Sequence, residues 1–231
     1  MVDGPARRTF RLTSGARPSA AQRPQGPGVP APRAVRVAVN LAAAVCWALF
    51  AQSNLVYYLH THRLIGGLYF VEQAWLVGAF LLRRPAGTVS PSLSSWLLAA
   101  GGTFLALLFR PGGAHLLWGV RAGFLLQVAG LIAAIASLVA LGRSFGLVAA
   151  DRGLVTRGPY ALVRHPVYAG YLLTQLGYVM QVTSWRNALV LLVATACNLG
   201  RIVAEERVLS ASVEYRRYCE QVRWRLIPGI W

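Results

Sequence analysis

The chain predicts an all-α, multi-pass membrane helix bundle of about six spans, and three observations lead there. Its 231 residues are 56% hydrophobic and only 13% charged, with a mean hydropathy of +0.50, outside the range of ordinary soluble domains. The apolar residues gather in runs close to the roughly 20 residues that a membrane helix needs. The positive charge falls between those runs rather than along one soluble face.

Residues 1–35 are rich in Pro, Gly, Ala and Arg, lack apolar periodicity and contain no continuous apolar core of a cleavable signal peptide. They read as a disordered basic arm suited to holding the amino terminus against anionic lipid. Residues 36–231 form the membrane domain. Its candidate spans are 37–59, 64–82, 93–109, 114–141, 167–183 and 187–203. The third contains Gly101-Gly102 and is the weakest, and the fifth and sixth could form one tight hairpin around Thr183 to Asn187. Beyond Val203, the pattern Val208, Leu209, Val213 and Val222 among Glu and Arg predicts an amphipathic helix lying at the membrane interface.

All 23 cations are Arg and face only seven acids, for a formal charge of +16. A nucleic-acid partner would call for Arg clustered on a soluble face with interleaved aromatics, which this distribution excludes. The loops instead alternate between Arg-rich and Arg-poor. With the amino terminus inside, nineteen of the 23 Arg fall on the inner side, which puts both termini in the cytoplasm. Cys46, Cys197 and Cys219 are scattered and form no CxxC pair, and His60 and His62 stand apart from other ligands, so no metal site is expected.

Two polar islands interrupt the apolar pattern. The first runs from Arg157 to Gly170 and carries Arg164, His165 and Pro166; irregular backbone at a membrane boundary is costly unless it lines a cavity or ligand site. Pro166 suits the first turn of a helix, so His165 sits at its entrance, where free N–H groups favour a carboxylate or a hydroxyl-rich ligand. Gly170, one turn in, would let a flat ring approach the backbone. Headgroup anchoring explains Arg157, Arg164 and His165 equally well, and Tyr160, Tyr168 and Tyr171 also suit an interfacial belt.

The second island tips the balance. Arg201 and Glu205 are four residues apart and share a helix face, while Glu206 points elsewhere. A salt bridge accounts for Arg201 with Glu205 but not for a second adjacent acid. Glu72, the remaining intramembrane acid, lies about as deep in the second span as Arg121 in the fourth, which predicts a buried Glu72–Arg121 pair.

Taken together, Gly158-Pro159-Tyr160, Val163 to Gly170, Arg201 with Glu205-Glu206, Tyr215, Tyr218 and the closing Arg225-Leu226-Ile227-Pro228 resemble the isoprenylcysteine carboxyl methyltransferase family and its phospholipid methyltransferase relatives. Leu141 to Phe145 matches as well, so the resemblance covers 141–231. It implies a cytosol-facing S-adenosylmethionine pocket and a tunnel open to lipid. Arg164, His165, Pro166, Tyr168, Gly170 and Glu206 would hold the cofactor, and Arg201 and Glu205 would stand at the methyl-transfer centre. The acceptor implied is a lipophilic small molecule or lipid, foremost a carboxylate. A thiol or a phospholipid amine stays open, as does a sterol-reductase-like enzyme using NADPH. The acid run is shorter than in the eukaryotic enzymes, and the all-Arg chain points to a bacterial inner membrane.

Overall fold

The computed structural model describes residues 33–82, 92–110, 117–145 and 154–231. The expected basic arm lies outside the described residues except for its last three positions, which already belong to a helix. Each expected span contains a helix among its described residues, with 114–116 of the fourth outside them: α1 is Arg33–Thr61, α2 Leu64–Leu82, α3 Leu93–Phe104, α4 Leu117–Leu141, α5 Pro166–Gln181 and α6 Trp185–Leu209. A short α7, Val213–Gln221, follows. Among the described residues, four helices are long and apolar enough to cross a membrane: α1, α2, α4 and α6. The other two are shorter, because α3 tightens into a 3-10 turn at Leu105–Leu108 and α5 gives much of its surface to polar side chains.

Lipid-facing surface and core are divided as the apolar runs require. Leu41, Val45 and Leu49 of α1, Leu125 and Ile132 of α4, and Leu189 and Leu192 of α6 are exposed. Leu76, Phe80, Leu138 and Phe145 are buried together, with the Phe80 and Phe145 rings edge to face at 5.3 Å. The turn between α1 and α2 closes at His62, whose φ of 52° is left-handed and whose N–H donates to the Tyr58 carbonyl at 2.7 Å.

Small residues set the helix partners. Along α4 and α5 the seam is Gly123, Gly130 and Ala134 against Gly170 and Gly177. A Cβ on Gly177 would stand 2.5 Å from backbone atoms of Gln127 and Gly123. With little hydrophobic drive between helices in lipid, close backbone approach of this kind supplies the packing energy. Gly101 and Gly102 do the same for α3: a Cβ at Gly101 would meet the Cys197 sulfur of α6 at 2.7 Å, and Gly102 leaves space for Asn198. The glycines that weaken α3 as a sequence pattern are therefore what seat it.

These seams correct the expected hairpin. Although α5 and α6 are joined by only residues 182–184, α5 packs chiefly on α4, and α6 chiefly on α3. The sequence neighbours are held by different partners, and a cavity of about 990 Å³ runs between them. Asn187, wholly buried, fixes one end by exchanging hydrogen bonds with the Arg110 backbone, accepting from its N–H at 3.1 Å and donating to its carbonyl at 3.0 Å. At the opposite end, Arg143 after α4 donates to the Leu82 carbonyl at the end of α2, at 2.8 Å. That second end also carries the 154–165 segment and the chain after α6.

Candidate active site

The first polar island folds because glycine and proline make it do so. Gly158, at φ +63°, occupies a conformation that side chains resist, and Pro159 then starts a single 3-10 turn over Gly158–Ala161. Pro166 occupies the first turn of α5 with His165 as its N-cap, as the sequence predicts. The strip between these points is held by the carboxyl-terminal segment: the Arg164 N–H donates to the Trp224 carbonyl at 2.9 Å and the His165 N–H to the Arg225 carbonyl at 2.8 Å. That segment is folded in turn on the last residue, whose carbonyl accepts from the N–H groups of Arg225, Leu226 and Ile227.

The expected amphipathic helix exists as α7, but its buried face differs from the expected one. Tyr215 and Tyr218 are buried with Val222, whereas Val213 is half exposed. The helix therefore lies on the protein through its tyrosines. The Tyr218 hydroxyl donates to the Tyr160 carbonyl at 2.6 Å, tying α7 to the Gly-Pro-Tyr turn. Burial pushes the phenols of Tyr160, Tyr215 and Tyr218 well above the ordinary tyrosine range, so all three are neutral.

The adjacent acids have separate surroundings. Glu206 points away from the cavity into a ring of donors. Its Oε1 receives Arg164 at 3.1 Å, His165 Nε2 at 3.3 Å and the Tyr215 hydroxyl at 3.3 Å, while Oε2 receives Arg225 Nε at 2.7 Å. Arg164 also donates to the Cys219 sulfur at 3.0 Å and the Arg223 carbonyl at 3.1 Å. Burial works against the Arg164 charge, but the Cys219 hydrogen bond and the Glu206 carboxylate outweigh it and raise its pKa above the ordinary arginine value. Glu205, by contrast, lines the cavity. It accepts from the Tyr168 hydroxyl and lies 3.8 Å from His165 Nδ1, so the imidazole stands between the two carboxylates. Arg201 completes the group, with its guanidinium carbon 5.1 Å from the centre of the Tyr168 ring and one arm donating to Thr103 of α3 at 3.2 Å.

The structure thus brings Arg164, His165, Tyr168, Arg201 and Glu205 to one cavity wall. Pro166, Gly170 and Glu206 are close in sequence but do not line it. The expectation that Gly170 admits a flat ring is corrected: the space a Cβ would take is occupied by the Ala134 and Gly130 backbones, 2.6 and 2.7 Å away. The expected Glu72–Arg121 pair is also corrected. Arg121 is exposed, while Glu72 is buried and accepts from the Tyr171 hydroxyl at 2.6 Å.

The sequence alone places neither Tyr171, read there as part of an interfacial belt, nor Arg225, read as part of the closing motif, nor Thr103 at this site, and only α5 carries a usable signal for its part. His165, Tyr168, Tyr171, Gln175, Tyr178 and Gln181 recur at helical spacing and all line the cavity, one polar stripe running from end to end.

Residues 121–211 match the model of the isoprenylcysteine carboxyl methyltransferase family. Among curated proteins there is no match. A solved structure, described as that of the eukaryotic intramembrane Ras methyltransferase of this name without a monobody, is similar at 20% identity and a TM-score of 0.46, covering 85% of this chain and 77% of that one. A likeness of that degree transfers no residue positions between the two.

Proposed function

We propose that this chain, whose residues 121–211 match the isoprenylcysteine carboxyl methyltransferase family, is an integral membrane methyltransferase that takes its methyl group from S-adenosylmethionine and delivers it to a carboxylate on a lipophilic acceptor. The observation that carries this reading is the shared cavity. One wall gathers Arg201, Glu205, His165 and Tyr168, and the same space continues along α5 to the other end of the bundle. At about 990 Å³ it is at the upper end of ordinary ligand sites, enough for two reactants together.

The lining near the 154–165 segment fits the donor. Tyr160, Tyr215 and Tyr218 offer aromatic surface, Leu154 and Val155 apolar surface, and Glu205 a carboxylate for an ammonium or for sugar hydroxyls. When bound, S-adenosylmethionine would supply a methyl group on a cationic sulfur. The protein's part is to align the acceptor, keep water out and compensate charge. Arg201 has the planar fork suited to a carboxylate, and Tyr168 and Thr103 hold that fork in place. Glu205 faces the same space; with a thiol or an amine as acceptor it would take the departing proton. Arg164 and Glu206 serve by fixing the Arg-His-Pro strip to α6 and the carboxyl terminus. The Arg distribution sets this end toward the cytoplasm, in keeping with a bacterial inner membrane.

The test is to incubate membranes containing the protein with methyl-labelled S-adenosylmethionine and a prenylcysteine analogue. Label should enter the organic phase and leave as methanol in alkali, and Glu205→Gln should reduce it at least about 100-fold. Alkali-stable label would move the acceptor to sulfur or nitrogen. Absence of both label and cofactor binding would overturn the reading.

A further inference from the structure

A second concavity shares no lining residue with the large cavity and opens on the outer face of the bundle. It encloses about 490 Å³ between α5, α6 and the carboxyl-terminal segment. Thr195, Leu199 and Val203 of α6 line it, with Leu172 of α5 and with Ile227 and Trp231 of the segment. Apart from the Thr195 hydroxyl and the Trp231 indole N–H, these side chains are hydrocarbon. Leu199, Val203 and Ile227 are exposed, and an empty groove would forfeit their dispersion contacts, so in a membrane it takes hydrocarbon from outside the protein.

The spacing along α6 sets the length of the groove and what stands at its head. Thr195, Leu199 and Val203 recur every four residues, and the next position in that row is Arg207. At about 1.5 Å per residue the apolar part of the row is about 12 Å long, within the roughly 15 Å depth of one leaflet's hydrocarbon. Arg207 is exposed in the last turn of α6, a helix long enough to cross the membrane. Other arginines at this end are committed: Arg225 donates to Glu206 and lies 5.0 Å from the Trp231 ring centre, and Arg216 donates to the Ser210 carbonyl at 2.7 Å. Among the described residues Arg207 enters no ion pair.

The groove also adjoins the candidate site. Leu172 and Trp231 pack on the buried cluster of Tyr168, Ile202 and Leu226. The segment that forms one side of the groove supplies the Trp224 and Arg225 carbonyls to which the Arg164 and His165 N–H groups donate.

We propose that the groove holds one acyl chain of an anionic phospholipid whose phosphate pairs with Arg207, and that the bound lipid braces the carboxyl-terminal segment against the Arg-His-Pro strip. An apolar row ending in a cation matches the two parts of such a lipid, and a guanidinium binds phosphate oxygens through charge-assisted hydrogen bonds. A zwitterionic lipid offers the same chain, but its own cation competes for the phosphate, so the net charge sets the preference. The site stands apart from methyl transfer and from the identity of the acceptor.

The test offers the full chain in detergent phosphatidylglycerol or phosphatidylcholine with the same acyl chains, and counts bound lipid by native mass spectrometry. The unmodified protein should hold one phosphatidylglycerol about tenfold more tightly than phosphatidylcholine, the worth of one charged hydrogen bond. Arg207→Gln should erase that preference, whereas Arg217→Gln, at an exposed arginine of α7, should keep it. Leu199→Trp, which fills the groove, should release both lipids. In nanodiscs, phosphatidylglycerol should slow hydrogen exchange at the Arg164 and His165 amides of the unmodified protein but not of Arg207→Gln. Equal binding of the two lipids by the unmodified protein would overturn the proposal. So would equal losses in the two arginine variants, which would mean diffuse attraction of anions to a basic surface. Lipid retained by a folded Leu199→Trp variant, or exchange unchanged by bound lipid, would overturn it as well.

Discussion

At the scale of single residues, the informative contrast is between Glu205 and Glu206. Successive helix positions differ by about 100° around the axis, so one acid faces the cavity while the other faces the carboxyl-terminal segment. Glu206, whose side chain is 11% exposed, satisfies four donors from three parts of the chain. Removing a buried partner leaves its counter-charges uncompensated, a loss of about 3–5 kcal/mol. Glu206→Ala should therefore lower the thermal midpoint sharply in detergent, whereas Glu205→Gln should unfold near the wild-type temperature while losing methyl transfer. Equal midpoints for the two variants would remove the division of roles. The sequence shows an adjacent pair of acids. It does not show which is open, because the donors that close Glu206 come from 41 residues before it in one case and 19 after it in another.

At the scale of elements, the α4–α5 seam does more than pack. By drawing α5 onto α4 through glycine, it turns the polar stripe of α5 toward the cavity and away from lipid. Gly177→Leu would force side-chain volume into α4 backbone 2.5 Å from the new Cβ, a position that cannot move without separating the helices. Overpacking of this kind costs typically about 1–3 kcal/mol or more, and loss of folded protein by size-exclusion and thermal unfolding is the expected result. Gly78→Leu is the control, since a Cβ there meets nothing within 4 Å and should leave the midpoint nearly unchanged. Comparable damage from both would mean that helix propensity, not the seam, governs these glycines. Apolar periodicity locates α1 to α6 to within a few residues at most ends, yet it is silent on which helices pair, because lipid and a neighbouring helix satisfy an apolar face equally well.

At the scale of the whole molecule, both polar islands and the carboxyl-terminal segment meet at one end of the bundle, and the Arg110–Asn187 lock closes the other. On the Arg bias we propose that the first end faces the cytoplasm. In a background with the three native cysteines replaced, a membrane-impermeant maleimide should label Arg157→Cys only in inverted vesicles and Arg186→Cys only in right-side-out ones. Labelling of both from one side would overturn the topology. The cavity runs between the two ends, from Tyr160 and His165 to Gln181 and Phe109, which is the path we propose for the acceptor's apolar chain.

The amino-acid sequence by itself determined the class of protein, the order of the helices and the two islands where chemistry is concentrated. These follow from local properties: the length of an apolar run, the punctuation by Gly and Pro, and the cost of placing Arg and Glu between spans. It also carried the motif residues from Gly158 to Glu206, which are read in order along the chain and lie within the stretch that the family model matches. Tertiary structure decided the partners. Tyr171 rather than Arg121 reaches Glu72, Arg225 reaches Glu206, and the α4 backbone occupies the space beside Gly170. Such pairings depend on how helices rotate and stack, and a buried polar group takes whichever donor that packing brings within about 3 Å, however distant it is along the chain.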